Sequence, residues 1–143
     1  MPEFPEPTFP IALKTGQMLS FTGRKNPEAL WNQHVWVYES DAAKPDQPTM
    51  RRTNDFGIDY VFGPKPGNEK KEVRFHLRHT RHDTGQDNGS RVVVTGKAPR
   101  WVLICHDAWG DDKWDYMLEI NLLSAVASLD AGGVFELDTA SSA

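Results

Sequence analysis

A single cysteine, Cys105, is all the sulfhydryl chemistry this chain has. It excludes an intrachain disulfide and any metal site built on several thiolates, and it fits a reducing compartment. No stretch approaches the about 20 consecutive apolar residues of a membrane helix, so no membrane partner is expected. The opening MPEFPEPTFP carries acids and spaced prolines where a secretory signal carries basic residues and then an apolar run. That predicts a cytoplasmic protein, or one exported without such a signal. Also missing are a Gly-Xaa-Ser-Xaa-Gly nucleophile elbow, a glycine-rich phosphate loop and any internal repeat of the kind that builds propellers.

What is present describes an ordinary folded domain. Hydrophobic residues make up 38% of the chain and charged residues 25%, with a mean hydropathy of -0.57, a composition able to bury a core. With 143 residues, one domain is expected: an extended proline-rich arm over residues 1–10, a body over 11–138, and a loose tail over 139–143. The net charge of -4 is unevenly spread. Residues 51–100 hold eleven Lys and Arg against six acids, net +5, whereas 101–143 hold one Lys against eight acids, net -7. The two blocks can neutralise one another in a shared sheet. Because the aromatic residues do not interleave with the basic ones along the chain, nucleic acid is not the expected partner.

Strand signals dominate. GQMLSFTG and GIDYVFG are short runs between glycines, and QHVWVYES alternates Val35 and Val37 with His34, Trp36 and Tyr38. In KEVRFHLRH, Val73, Phe75 and Leu77 alternate with Arg74, His76 and Arg78, which predicts a half-buried strand with a basic outer face. Asn88-Gly89 is the preferred pair for a tight hairpin turn leading into RVVVTG, and PRWVLICHD and GGVFELD complete the strands. The segment ESDAAKPDQPTMRRTND reads as a long polar loop. Residues 115–129 fit two patterns: a strand with Tyr116, Leu118, Ile120 and Leu122 inward, or a helix striped by Leu118, Leu122, Val126 and Leu129. The preferred reading is a strand to about Leu123 followed by a short helical turn. About eight short strands with turn chemistry between them predict a mainly β, antiparallel, jelly-roll-like sandwich of two sheets, with at most one short C-terminal helix.

Function is sought first in HDAWGDDKWDY, residues 106–116, where the strand WVLICH ends and an acidic, Trp-bearing loop begins. An indole offers a flat apolar face to the C–H side of a sugar ring, and carboxylates accept hydrogen bonds from its hydroxyls. Trp109 and Trp114 are therefore candidates for stacking and Asp111, Asp112 and Asp115 for hydroxyl recognition, with Asn32 or Arg24 completing the site. The competing structural reading has the indoles covering the end of the core and the Asp residues shaping their own turn. DKWD, residues 112–115, followed by YMLEI, resembles the metal loop of the calcium-dependent bacterial lectins, in which an Asp-Tyr-Asn-Asp run precedes an apolar strand. Asp112 and Asp115 match that loop, but Trp114 replaces its Asn and His106 falls where an acid is required. Too few oxygen ligands remain for Ca²⁺, so no metal or cofactor is expected.

The remaining candidates are an Arg74, His76 and Arg78 face suited to an anion, and the pair His106-Asp107. In His76, His79 and His82 the spacing places His76 and His79 on opposite faces of a strand, beside arginines that repel a cation. His106-Asp107 is similar to the metal-binding pair of the HD phosphohydrolases, which are all-helical, whereas RVVVTGKAPRWVLI is strand-like. Asp107 with Asp112 would do glycoside chemistry only at a separation of about 5 to 9.5 Å. The sequence thus points to a non-enzymatic, lectin-like module that binds a glycan or small polar ligand through residues 107–115. Two alternatives stand beside it: an oligomeric assembly protein of a virion or secretion system, and a small hydrolase using His76, Arg78, His106 and Asp107 on an anionic substrate. Short strands, an extended arm and no disulfide favour a symmetric homo-oligomer, most simply a dimer.

Overall fold

The strand with the cleanest alternation becomes the spine of one sheet. A computed structural model describes residues 8–40, 47–67, 70–106, 113–128 and 134–139, and within it β6 (Lys70–Thr80) lies between β1 (Phe9–Lys14) and β3 (Asn32–Glu39), with β4 (Met50–Thr53) on the far edge and β7 (Asp87–Gly89) paired to the end of β6. The second sheet runs in the order β5 (Phe56–Phe62), β2 (Gln17–Lys25), β10 (Tyr116–Ser128), β9 (Arg100–His106) and β8 (Arg91–Lys97), and β11 (Val134–Thr139) pairs with the distal half of β10. Every pairing is antiparallel. The chain is all-β, two antiparallel sheets that make a sandwich, as the spacing of strand and turn signals predicts.

The inner faces supply the core. Val73, Phe75 and Leu77 of β6 and Val35 and Val37 of β3 face Leu19 and Phe21 of β2, Leu103 and Cys105 of β9, and Tyr116, Leu118, Ile120 and Leu122 of β10. Cys105 is a buried thiol inside this layer, where it packs as a small hydrophobe. Where β4 and β5 form neighbouring edges of the two sheets, Arg52 closes the gap by donating from Nε to Asp59 Oδ2 at 2.5 Å. The basic and acidic blocks of the sequence also meet on the second sheet, where Arg100 Nη2 lies 2.9 Å from Glu119 Oε1.

Four local expectations change. Residues 116–128 form one continuous strand, so the helical turn expected after Leu123 is not there, and no helix occurs among the described residues. Pairing decides it: Tyr116 to Ser124 register against β2, and Leu123 to Ser128 register against β11. Asn88 and Gly89 do not form the hairpin turn but sit within β7, opposite His79 and Arg78. Reversal occurs earlier, over residues 81–86, where the Gly85 amide donates to the Arg81 carbonyl and Gly85 takes a φ of 71°. Met50–Thr53, inside the segment read as loop, adds an edge strand beside β3. Phe9 and Pro10, the last residues of the expected arm, already pair with β6, and Pro10 is tolerated because β1 is an edge strand. Residues 1–7 and 140–143, which hold the rest of the arm and most of the tail, and the putting of Leu129 on a helical stripe, lie outside the described residues.

Candidate functional site

Strand direction gathers the 26–31, 54–55 and 81–86 connections, the end of β9 and residues 113–115 before β10 at one end of the sandwich. Trp109, Asp111 and Asp112, like Asp107, lie outside the described residues. Trp114 and Asp115 are described, and their backbone is held on several sides. The His106 ring Nδ1 is 2.9 Å from the Lys113 carbonyl, Asn26 Nδ2 donates to the Trp114 carbonyl at 2.7 Å, and the Asp115 amide donates to the Cys105 carbonyl at 2.8 Å. The Asn26 amide returns a bond to the Asp115 carbonyl at 3.0 Å, and Lys113 Nζ reaches Glu28 Oε2 at 3.2 Å. A carbonyl such as that of Lys113 only accepts, so Nδ1 of His106 carries the proton. The half-buried Trp114 indole has no ring partner among the described residues.

Of the residues expected to complete the site, Asn32 is at this end: it begins β3, and its Oδ1 accepts from Asn54 Nδ2 at 3.1 Å. Asn54, with a φ of 55°, occupies the left-handed region that asparagine tolerates, and it turns the chain from β4 into β5. Arg24 is placed differently. It is exposed on the outer face of the second sheet, over an open cleft of 410 Å³ lined also by Asp55, Met117 and Glu119.

Two groups at this end carry no sequence signal of their own. Trp31 stacks on His79, with ring centroids 5.3 Å apart and planes 14° apart, and the Arg81 guanidinium lies 4.9 Å from the Trp31 ring centre. His79 faces inward, is 5% exposed, and places Nδ1 2.9 Å from Ser90 Oγ. Only the placement of Trp31 immediately before a strand, behind the Pro27 loop, hints at such a cap. Burial lowers the His79 pKa from its ordinary 6.5, more than the nearby Asp87 and Asp115 raise it, and burial lowers that of His34 in the same way. The fold therefore accommodates neutral imidazoles, and in acid the unfolded chain binds more protons. Their contribution to stability is complete above the unfolded value of 6.5 and declines as the pH falls below it toward the depressed folded values. Urea midpoints should decline as the pH is lowered from about 7.5 to about 5, above the range where carboxylates dominate. His79→Gln should flatten that slope; an unchanged slope would remove His79 from the account.

Arg74, His76 and Arg78 do share one outer face, as the alternation predicts, but the guanidiniums are engaged. Arg74 Nε is 2.7 Å from Glu72 Oε1 and Arg78 Nε is 3.2 Å from Asp87 Oδ1. His76 is 0% exposed and meets Trp36 edge-on at 6.2 Å; its Nε2 lies 3.0 Å from Arg78 Nη1. Arginine only donates, so that nitrogen accepts and the proton sits on Nδ1. Trp36 also lies 4.7 Å from Arg51 of β4 and 4.6 Å from Arg78 of β6. Aromatic and basic groups therefore interleave across strands here, contrary to the reading along the chain. His76 lies on the outer face of β6, opposite the inward Phe75 and Leu77, whereas His106 ends β9 of the other sheet and bonds to the Lys113 carbonyl. Among the described residues no three His, Cys, Asp or Glu side chains gather as metal ligands.

No protein-family model matches the chain, and no curated protein matches it. Among solved structures it is similar to the C-terminal domain of BC2L-C lectin from Burkholderia cenocepacia, with 20% identity, a TM-score of 0.46, and coverage of 78% of this chain and 92% of that one.

Proposed function

We propose that this chain is a non-enzymatic carbohydrate-binding module whose ligand rests on the loop end of the sandwich, against Trp114 and Asp115. The observation that carries this reading is the setting of Trp114: Asn26 holds its carbonyl, His106 and Cys105 hold the backbone of its neighbours Lys113 and Asp115, and its indole has no ring partner among the described residues. An aromatic surface held in advance loses little entropy on stacking against a sugar. Asp115 adds a carboxylate beside it, Asn32 stands at the same end, and Trp109, Asp111 and Asp112 are the further contacts that the sequence offers.

A glycan array followed by Trp fluorescence titration tests the reading. Trp114→Ala should weaken binding of the selected glycan by about 1 to 3 kcal/mol while leaving the melting temperature within a few degrees of wild type. Trp109→Ala provides the companion measurement on the other indole. If no glycan alters the emission and Trp114→Ala lowers the melting temperature by about ten degrees, the indole is a cover for the core and the module reading is lost.

A further inference from the structure

The opposite end of the sandwich holds an open cleft of 1040 Å³ that combines exposed aromatic rings with lysines. Tyr60 and Phe62, two residues apart on β5, project from the face opposite the buried Val61 and are 47% and 66% exposed. Lys65, Lys70 and Lys71 face the same space with Glu39. Lys71 is already engaged: it pairs with Glu39 and donates to the Phe62 carbonyl at 3.0 Å. Lys65 and Lys70 make no ion pair or side-chain hydrogen bond among the described residues. The floor is fixed as well. The Gly63 amide donates to the Gln17 carbonyl at 2.8 Å, and a Cβ at Gly63 would come within 2.5 Å of the Lys14 carbonyl oxygen.

We propose that this cleft is a second ligand site, separate from the loop end, that takes an acidic saccharide. Tyr60 and Phe62 lie against the C–H faces of its rings, and Lys65 and Lys70 pair with its carboxylate or sulfate groups. Two exposed aromatic rings in a concave site supply the apolar contact that such ligands require. Among the described residues that line it, the uncommitted charge is two ammonium groups beside an already neutralised Lys71–Glu39 pair. That matches an acidic oligosaccharide bearing a few spaced carboxylates, two of which the ammonium groups can pair. A polyphosphate chain draws its affinity from many backbone contacts, more than two ammonium groups supply.

The test is calorimetric titration with trigalacturonate, with neutral galactotriose, and with a short single-stranded oligonucleotide as a competing anion. The full chain should bind trigalacturonate, less tightly as salt is raised, and should bind the neutral trisaccharide at this site more weakly. Lys65→Gln/Lys70→Gln and Phe62→Ala should each weaken trigalacturonate binding by about tenfold or more, whereas Trp114→Ala should leave it unchanged. That last variant keeps failure here distinct from failure of the loop-end reading. The inference is overturned if trigalacturonate does not bind, if binding ignores the lysine and Phe62 substitutions, if Trp114→Ala abolishes it, or if the oligonucleotide binds more tightly.

Discussion

Gly23→Ala is expected to destabilise the protein by about 3 kcal/mol, lowering the melting temperature by about ten degrees. Gly23 lies on the inner face of β2, and a Cβ there would stand 1.8 Å from the Tyr116 hydroxyl oxygen, 2.3 Å from the Phe56 ring and 2.7 Å from Tyr116 Cζ. None of these neighbours is the loose end of a flexible chain. Tyr116 is fully buried and donates from its hydroxyl to the Asn54 carbonyl at 2.8 Å, so the phenol crosses Gly23 to tie the start of β10 to the β4–β5 turn. Burial, with Cys105 and Asp55 nearby, pushes its pKa far above the ordinary phenol value and keeps it a donor. Phe56 is fixed by edge-on contact with Phe21. Against a total stability of about 5 to 15 kcal/mol for a natural domain, the loss is large. Tyr116→Phe removes the closest contact atom, so in the Gly23→Ala background it should cost less than the about 1 kcal/mol expected of it alone. Urea denaturation of the four species measures this coupling, and a Gly23→Ala protein within about 1 kcal/mol of wild type would show that the tyrosine can move aside.

The same residue shows where sequence reading stops. Alternation is a local property, so β6 was legible from Val73, Phe75 and Leu77, and the inward set Tyr116, Leu118, Ile120 and Leu122 was legible although a helical stripe passed through two of its members. Pairing on both sides of β10 settled between them. Nothing local to Gly23 announces that a tyrosine from a distant strand crosses it, and nothing in RKNPEALWN announces that Trp31 stacks on His79. Asn88-Gly89 misled because turn chemistry describes what a dipeptide permits, whereas pairing with β6 fixed what it does. At the candidate site, Trp114, Asp115 and Asn32 were legible as residue types suited to a sugar, but the clamp from Asn26 and His106 was not, since it depends on β2, β9 and β10 ending together. The Tyr60–Phe62–Lys65–Lys70 cleft was missed for a similar reason: its aromatics and lysines lie on separate sequence segments that meet only where β5 ends and β6 begins.

Phe21→Ala should cause the other large loss, about 4 kcal/mol. Phe21 is 1% exposed on the inner face of β2, and it meets Phe56 edge-on at 5.8 Å and Phe75 edge-on at 5.2 Å. Phe75 belongs to β6 in the other sheet, so Phe21 is a point at which the two layers interlock. Truncation removes buried apolar area and leaves a cavity that β2, paired to β5 and β10 on its two sides, cannot collapse to fill. It also deletes two edge-to-face contacts, each contributing about 0.5 to 1.5 kcal/mol beyond area. Phe62 provides an internal comparison, because it is the same residue type on the adjacent strand but 66% exposed. Phe62→Ala should change stability by no more than about 0.5 kcal/mol, which also makes it a sound variant for ligand titrations. Denaturant unfolding of both variants separates burial from residue type. Comparable losses at the two positions would mean that Phe21 is not an interlock between the sheets.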